Sequence, residues 1–393
     1  MIFQAIDDKT ECIGVYADGK LHFDNFPSNL TKTWKYTGSI KDENVEYAWL
    51  YSNGGTLADN CSEELRSDLA RVQKKMAAFY KSFKIAKIDL NEHCIFDLVP
   101  HDFLLDFCEV KNRITEHIFE NFEKPENYDH LDRVQKLIHK IKYQKLNLST
   151  DNCRALFTST SNRMKAKDLL SKYQYRYIDY NLFGTVTGRL TTNRDSFPIL
   201  TMKKELRQLV KPTNDLFVSL DYNGAEVRML LELCGNQQPK EDIHAWNIVN
   251  VFEDETLSRD LAKIDFFAWL YNPESDAITS NIYDREKVLD KYYDNGYIST
   301  PYGRKIKVEK RKALNYLIQS ATSDKVLNRA VSIDKMLEGR KSFISHIVHD
   351  EIVIDYHDED RNMIDSIKEM FEQNWLANIT AGKDYYNLNE LKL

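Results

Sequence analysis

The chain has 393 residues, 42% of them apolar and 12% aromatic, with a formal net charge of −7. This composition excludes a disordered chain and gives enough apolar mass for two or three modules. No apolar run is long enough to cross a bilayer, and Met1-Ile2-Phe3-Gln4-Ala5-Ile6-Asp7-Asp8 has no basic segment leading into an apolar one, so neither a membrane partner nor a leader is expected. The six cysteines, Cys12, Cys61, Cys94, Cys108, Cys153 and Cys234, include no C-x-x-C pair. That spacing predicts reduced buried thiols, no zinc site and a cytoplasmic protein.

Residues 1 to about 60 alternate like strands, with Cys12-Ile13-Gly14-Val15-Tyr16 and Leu21-His22-Phe23 joined by an Ala17-Asp18-Gly19-Lys20 turn. Helical spacing starts near Ser62 and runs through Leu69, Val72, Met76 and Phe79. A basic helix follows from His130 to Lys145, with Leu131, Val134, Leu137, Ile138 and Ile141 on one face. Residues 131–211 carry 17 Lys/Arg against 6 Asp/Glu, so the rest of this acidic chain carries −18. Such a stripe suits phosphate contacts, although a solvated lysine-rich surface would have the same charge. Residues 181–200, rich in Thr, Gly and Pro, read as irregular. After them come a strand at Leu216–Leu220, a helix from Gly224 to Cys234 stopped by Gly235, further helices, and a hairpin around His349-Asp350. Strands separated by blocks of helix indicate an α+β core.

Two places concentrate acids. The apolar strand ending at Leu220 delivers Asp221, with Glu226 about one helical turn further on. The segment Ile347-Val348-His349-Asp350-Glu351-Ile352 sets a polar knot between apolar flanks. Either alone has an ordinary explanation, a helix N-cap or an acidic surface turn. Together they provide what two-metal phosphoryl transfer requires, carboxylates from distant segments on one pair of ions. Arg259, Lys263, Phe267 and Tyr271 recur every four residues, placing two cations and two rings along one helix face. That pattern suits a nucleoside triphosphate, and equally an amphipathic helix with a solvated basic end.

These residues also carry a resemblance. Asp221-Tyr222-Asn223-Gly224-Ala225-Glu226-Val227-Arg228 resembles the first catalytic motif of family A DNA polymerases, and His349-Asp350-Glu351 resembles the second. Arg259, Lys263, Phe267 and Tyr271 match the family's fingers helix, with Asn272 where members usually have Gly. Glu241-Asp242-Ile243-His244 resembles the element whose His contacts triphosphate, and Thr187-Gly188-Arg189-Leu190 the segment whose Arg contacts primer-template. Tyr302-Gly303-Arg304-Lys305 is similar to the Gly-Arg-Arg/Lys element, and Asn315 and Gln319 match minor-groove amides. Ala381-Gly382-Lys383-Asp384-Tyr385-Tyr386 resembles the closing segment of phage-encoded members, and the whole resemblance runs from about Asn181 to Leu393. Residues 103–115 resemble the last motif of the proofreading exonuclease, but Phe107 and Lys111 replace its Tyr and metal-binding Asp, and Gln4 and Ile6 stand where an Asp-x-Glu is expected.

The resemblance implies an α+β right-hand polymerase with palm, fingers and thumb, preceded by a degenerate exonuclease-like (ribonuclease H-like) α/β remnant. Its divisions would be 1–115 for the remnant, 116–180 thumb, 181–235 palm, 236–295 fingers and 296–393 palm. It implies a template-directed DNA polymerase, DNA-directed and without proofreading, that takes primer-template DNA and dNTPs as a monomer in the cytoplasm, the host's if phage-encoded. Two Mg2+ ions would be held by Asp221, Asp350 and the Tyr222 backbone carbonyl. Lys263 would assist catalysis; Arg259, Phe267, Tyr271, His244 and Glu226 would bind the nucleotide, Glu226 by crowding the sugar 2′ position. Phe267 would disfavour dideoxynucleotides. Arg189, Arg304, Asn315, Gln319 and His349 would bind DNA. The rival expectations are a polymerase-shaped protein that binds primer-template without chemistry, and a nuclease.

Overall fold

The computed structural model describes residues 1–9, 12–38, 40, 44–88, 90, 92–171, 176–194, 196–272, 274, 275, 278 and 282–391. Residues 172–175 and 195 of the basic stretch, and 392 and 393 at the end of the resembling segment, lie outside the described residues. The chain divides into two compact units, Met1–His139 and Lys140–Leu393. Among the described residues no helix is long and apolar enough to cross a membrane.

In the first unit, β1 (Phe3–Lys9), β2 (Cys12–Ala17) and β3 (Lys20–His22) form an antiparallel sheet in that order. Asp18 and Gly19, with φ of 49° and 72°, make the tight turn that their sequence announces. Helices α1 (Arg66–Ile85) and α2 (His101–Asn121) follow, and then α3 (Tyr128–Lys142), whose last three residues, 140–142, belong to the second unit. Their buried residues recur at three and four: Leu69, Val72 and Met76; Leu104 and Cys108, then Val110, Ile114 and Ile118; Leu131, Val134 and Ile138. Each such burial removes about 1.5–3 kcal/mol worth of apolar surface from water. Gln4 on β1 is fully buried, and its Nε2 donates to Asn112 Oδ1 (2.9 Å) and Thr115 Oγ1 (3.0 Å) on α2.

The expectation of six reduced thiols is corrected here. Cys12 and Cys94 form a disulfide, with Cα atoms 5.3 Å apart across 82 residues of sequence. Cys12 opens β2, and Cys94 precedes the short helix Ile95–Leu98, whose first N–H is held by the Asp7 carboxylate of β1 at 3.0 Å. The fold brings the two together, and no local spacing in the sequence encodes that. Cys61, Cys108, Cys153 and Cys234 are free thiols, the first three buried.

The second unit is built on a five-stranded antiparallel sheet of β4 (Leu216–Tyr222), β5 (Phe343–Val348), β6 (Glu351–Tyr356), β7 (Ala377–Gly382) and β8 (Asn389–Glu390). Its order is β5-β6-β4-β7-β8, so the strand bearing Asp221 is central. Between β4 and β5 in sequence come α4 (Ala225–Leu233), α5 (Ile243–Asn247), α6 (Arg259–Tyr271), α7 (Arg285–Tyr292) and the 27-residue α8 (Lys310–Met336). Helix α9 (Ile364–Glu372) covers one face of the sheet. Tyr222 stacks on Phe371 at 4.1 Å and its hydroxyl donates to the Phe371 carbonyl (2.6 Å). Because side chains alternate along a strand, Tyr222 and Leu220 on the α9 side put Asp221, Ser219 and Phe217 on the other.

Candidate active site

The local chain around Asp221 explains its placement. Gly224 has φ 67°, and a Cβ there would lie 2.4 Å from Ile243 Cγ2. A left-handed residue without a side chain lets the chain leave β4 and enter α4 within three residues, so Glu226 arrives in the first turn. Asn223 secures the junction: its Oδ1 accepts from Ile243 N (2.9 Å) and its Nδ2 donates to Asp242 Oδ2 (2.6 Å). The fully buried Arg228 donates to the carbonyls of Asn223, Pro239 and Glu241. Its charge serves the loop rather than a ligand.

The second acid comes from the two-residue turn between β5 and β6. His349 takes φ 57° there, an uncommon conformation for a residue with a side chain, and Asp350 follows. Asp221 is paired in register with Glu351 of β6 on one side and Asn378 of β7 on the other, which brings the turn to the end of β4. A cleft of about 490 Å³ opens above. Its wall includes Asp221, Tyr222, Glu226, Asp350, His349 and Arg189, together with His244, Arg259, Lys263 and Phe267. Residues 221 and 350, 129 positions apart in sequence, thus share one cleft. Burial first, and then the neighbouring charges of Asp350 and Glu351, push the Asp221 carboxyl up to about 7. Burial likewise raises Asp350, with Glu226 adding to it.

Helix α6 turns its cations and rings away from its own core. Ala262, Phe266, Trp269 and Leu270 are buried, whereas Arg259 and Lys263 are exposed. Ser258 caps the start by accepting from Leu261 N. Arg259 donates to Asp242 Oδ2 at 2.6 Å, and Phe267 and Tyr271 stack at 5.7 Å. Asn272, in place of the expected Gly, does not leave the helix end open. Arg285 stacks over Trp269 at 4.3 Å and donates to the carbonyls of Trp269 and Asn272, both at 2.9 Å. His244 is buried, which lowers its pKa to about 4 and keeps the imidazole neutral near pH 7.

The remaining candidates fall outside the cleft wall. Tyr271 donates to one Glu226 oxygen and Arg189 to the other. Gln319 lies beside Tyr271, and Asn315 lines a separate hollow between α6, α7 and the start of α8. Arg304, expected at the DNA, is buried, and its guanidinium is held by Asp324 through Nε (3.1 Å) and a terminal nitrogen (2.6 Å). The same guanidinium would sit 2.5 Å from a Cβ on Gly188, whose carbonyl accepts from Ser323 Oγ at 3.0 Å. Arg304 therefore shapes the turn that carries Arg189.

No protein-family profile and no curated protein matches the chain. Among solved structures it is similar to the POL domain of Pol1 from M. smegmatis in complex with DNA primer-template and dNTP. The likeness has a TM-score of 0.56 and 13% sequence identity, and it covers 73% of this chain and 76% of that one. The chain has a polymerase-like fold. At 13% identity the likeness is one of fold.

Within this polymerase-like fold, sequence reasoning passed over several cleft residues. Asn378 pairs with Asp221 in register, and Thr322 and Ser323 of α8 also reach the wall. Short polar residues on a strand and in a helix carry no motif signal. Only the register across β4 and β7 singles out Asn378.

Proposed function

We propose that the chain is a template-directed DNA polymerase, a DNA-directed nucleotidyltransferase that adds dNTPs to a primer 3′-hydroxyl and does not proofread. One observation carries the reading: within a polymerase-like fold, two carboxylates from distant segments share a cleft with Arg259, Lys263, His244 and Glu226. The family A likeness read from the sequence is consistent with it. The proposed layout is a palm around β4–β8, fingers around α5–α7 and a thumb within 116–180.

The donor set suits hard divalent ions. Among the described residues there is no group of three His, Cys, Asp or Glu that could enclose a metal. Two carboxylates and the Tyr222 backbone carbonyl would leave the other ligand positions to substrate oxygens and water. Burial first, and then the charges of Asp350 and Glu351, disfavour an ionised Asp221, and a bound cation would offset both. When bound, two Mg2+ ions would supply the charge that favours the ionised 3′-oxygen and neutralises the triphosphate.

The chain's own groups do the rest. The primer 3′-oxygen forms a bond to the α-phosphorus, the bond to the bridging oxygen breaks, pyrophosphate leaves and the hydroxyl proton passes to solvent. Arg259 and Lys263 bind the phosphates, and the neutral His244 offers an N–H to them without adding charge. Arg259 must first exchange its Asp242 partner for phosphate. Phe267 packs against the nucleotide and Glu226 blocks a 2′-hydroxyl. In the first unit, Gln4 donates to both Asn112 and Thr115, on the strand and helix where an exonuclease would place carboxylates, which supports a remnant that does not hydrolyse.

A labelled primer annealed to a longer template should lengthen with Mg2+ and dNTPs and should not shorten without dNTPs. Asp221→Ala and Asp350→Ala should each abolish extension while DNA binding persists. A gel shift without extension by the unsubstituted chain would leave only the binding-protein reading, and shortening would favour the nuclease.

A further inference from the structure

Glu351 follows Asp350 in sequence and faces Asp221 in register, yet it is absent from the cleft wall. Both of its oxygens are occupied from the other direction. Oε1 accepts from Ser219 Oγ at 2.5 Å, and Oε2 accepts from Tyr385 Oη at 2.6 Å. Ser219 lies two residues before Asp221 on the same face of β4, so the carboxylate is drawn back along the strand and away from its end. Hydrogen bonds to a charged acceptor are the short, strong kind, and two of them hold a side chain that otherwise has several rotamers.

The tyrosine is itself fixed. Tyr385 is 2% exposed, and its N–H donates to the Val210 carbonyl at 3.1 Å. Arg207 lies over its ring at 4.6 Å, and His346 meets the ring edge-on at 4.6 Å. The preceding Asp384 accepts from the N–H groups of Tyr386 (2.9 Å) and Asn387 (2.7 Å) and pairs with Lys211. A C-terminal segment is thereby folded back to aim one hydroxyl at one carboxylate.

We propose that Tyr385 is a positioning residue of the active site: with Ser219 it clasps Glu351, so that, with Glu226 engaged by Arg189 and Tyr271, only Asp221 and Asp350 are left to hold metal in the cleft. Directly opposed residues of antiparallel strands have Cβ atoms about 4.5–5.5 Å apart, so a released Glu351 could turn toward Asp221. A third carboxylate there would hold a divalent ion more tightly and occupy a ligand position that the substrate needs. The kinetic half of this inference rests on the polymerase reading, and the metal-binding half does not.

Tyr385→Phe keeps the ring, its contacts with Arg207 and His346 and its backbone bond, and deletes only the hydroxyl. Binding of Mn2+ to the full chain without DNA, read by the loss of its free-ion electron paramagnetic resonance signal, should tighten about tenfold, the low end of the effect that partners of metal ligands exert. Primer extension should lose about tenfold in kcat, with KM for dNTP little changed. Adding Glu351→Gln to Tyr385→Phe should return Mn2+ affinity to that of Glu351→Gln alone. Unchanged Mn2+ affinity in Tyr385→Phe would overturn the clasp, whether activity is kept or falls together with thermal stability. If the unsubstituted chain extends no primer while the Mn2+ shift appears, the polymerase reading fails and the clasp stands.

Discussion

Tyr271 at the end of α6 donates its hydroxyl to Glu226 in the first turn of α4, while Arg189 holds the other oxygen of the same carboxylate. The Glu226 side chain is 15% exposed and Arg189 36%, so the cluster is partly shielded and Glu226 is held in one place. A fixed carboxylate at a cleft wall can exclude one hydroxyl of a sugar. Glu226→Ala should raise ribonucleotide use relative to deoxyribonucleotide by roughly 100-fold, near the upper range for one steric contact. Single-nucleotide incorporation with paired rNTP and dNTP measures the ratio, and an unchanged ratio removes Glu226 from this role.

Gly224 makes a second, purely structural demand. Any side chain there meets both a left-handed backbone and Ile243 Cγ2 at 2.4 Å. Gly224→Ala should cost about 2–4 kcal/mol, adding backbone strain to overpacking. Adding Ile243→Ala should relieve the clash and leave the strain, so recovery should be partial in urea unfolding. Complete recovery would show that φ at 224 costs nothing.

The parts legible in the sequence are those whose signal is local. An apolar run announced β4, apolar flanks around a polar knot announced the β5–β6 hairpin, and four-residue spacing announced α6 and placed Arg259, Lys263 and Phe267 on its open side. What stayed hidden depends on partners far away in the chain. Helix α8 buries Ser320, Thr322, Ser323, Asp324 and Lys325 in succession, which no amphipathic pattern predicts. Asp324 is matched by Arg304, and Lys325 by Glu232 at 2.7 Å. The Cys12–Cys94 bond and the Tyr385–Glu351 contact are hidden for the same reason.

The Arg304–Asp324 pair should prove essential as a pair and dispensable as charge. Arg304 is 7% exposed and Asp324 fully buried, so Arg304→Ala leaves a carboxylate stranded in the interior, at about 3–5 kcal/mol. Arg304→Lys should also fail to restore the two-point contact. The double change Arg304→Met with Asp324→Leu should recover most of the stability in thermal unfolding. Primer extension should not recover with it, because the Gly188 turn that presents Arg189 loses its template. Equal recovery of both would mean that the pair does not position Arg189.

His346 should make the fold sensitive to acid. It is fully buried between Phe217 and Tyr385, its Nε2 has no hydrogen-bond partner among the described residues, and its Nδ1 lies 3.0 Å from Ser345 Oγ. Burial, and then the charge of Arg207, lower its pKa from 6.5 to about 3. Between those values the unfolded chain takes up a proton that the folded one refuses. The contribution of His346 to stability is therefore full above pH 6.5 and is lost as pH falls toward 3, by on the order of 5 kcal/mol. His346→Phe keeps a ring in the same site and removes the proton acceptor. Urea unfolding at pH 7.5, 6 and 5 should show a shallower decline for the variant than for the unsubstituted chain. Parallel declines would assign the acid sensitivity to other groups.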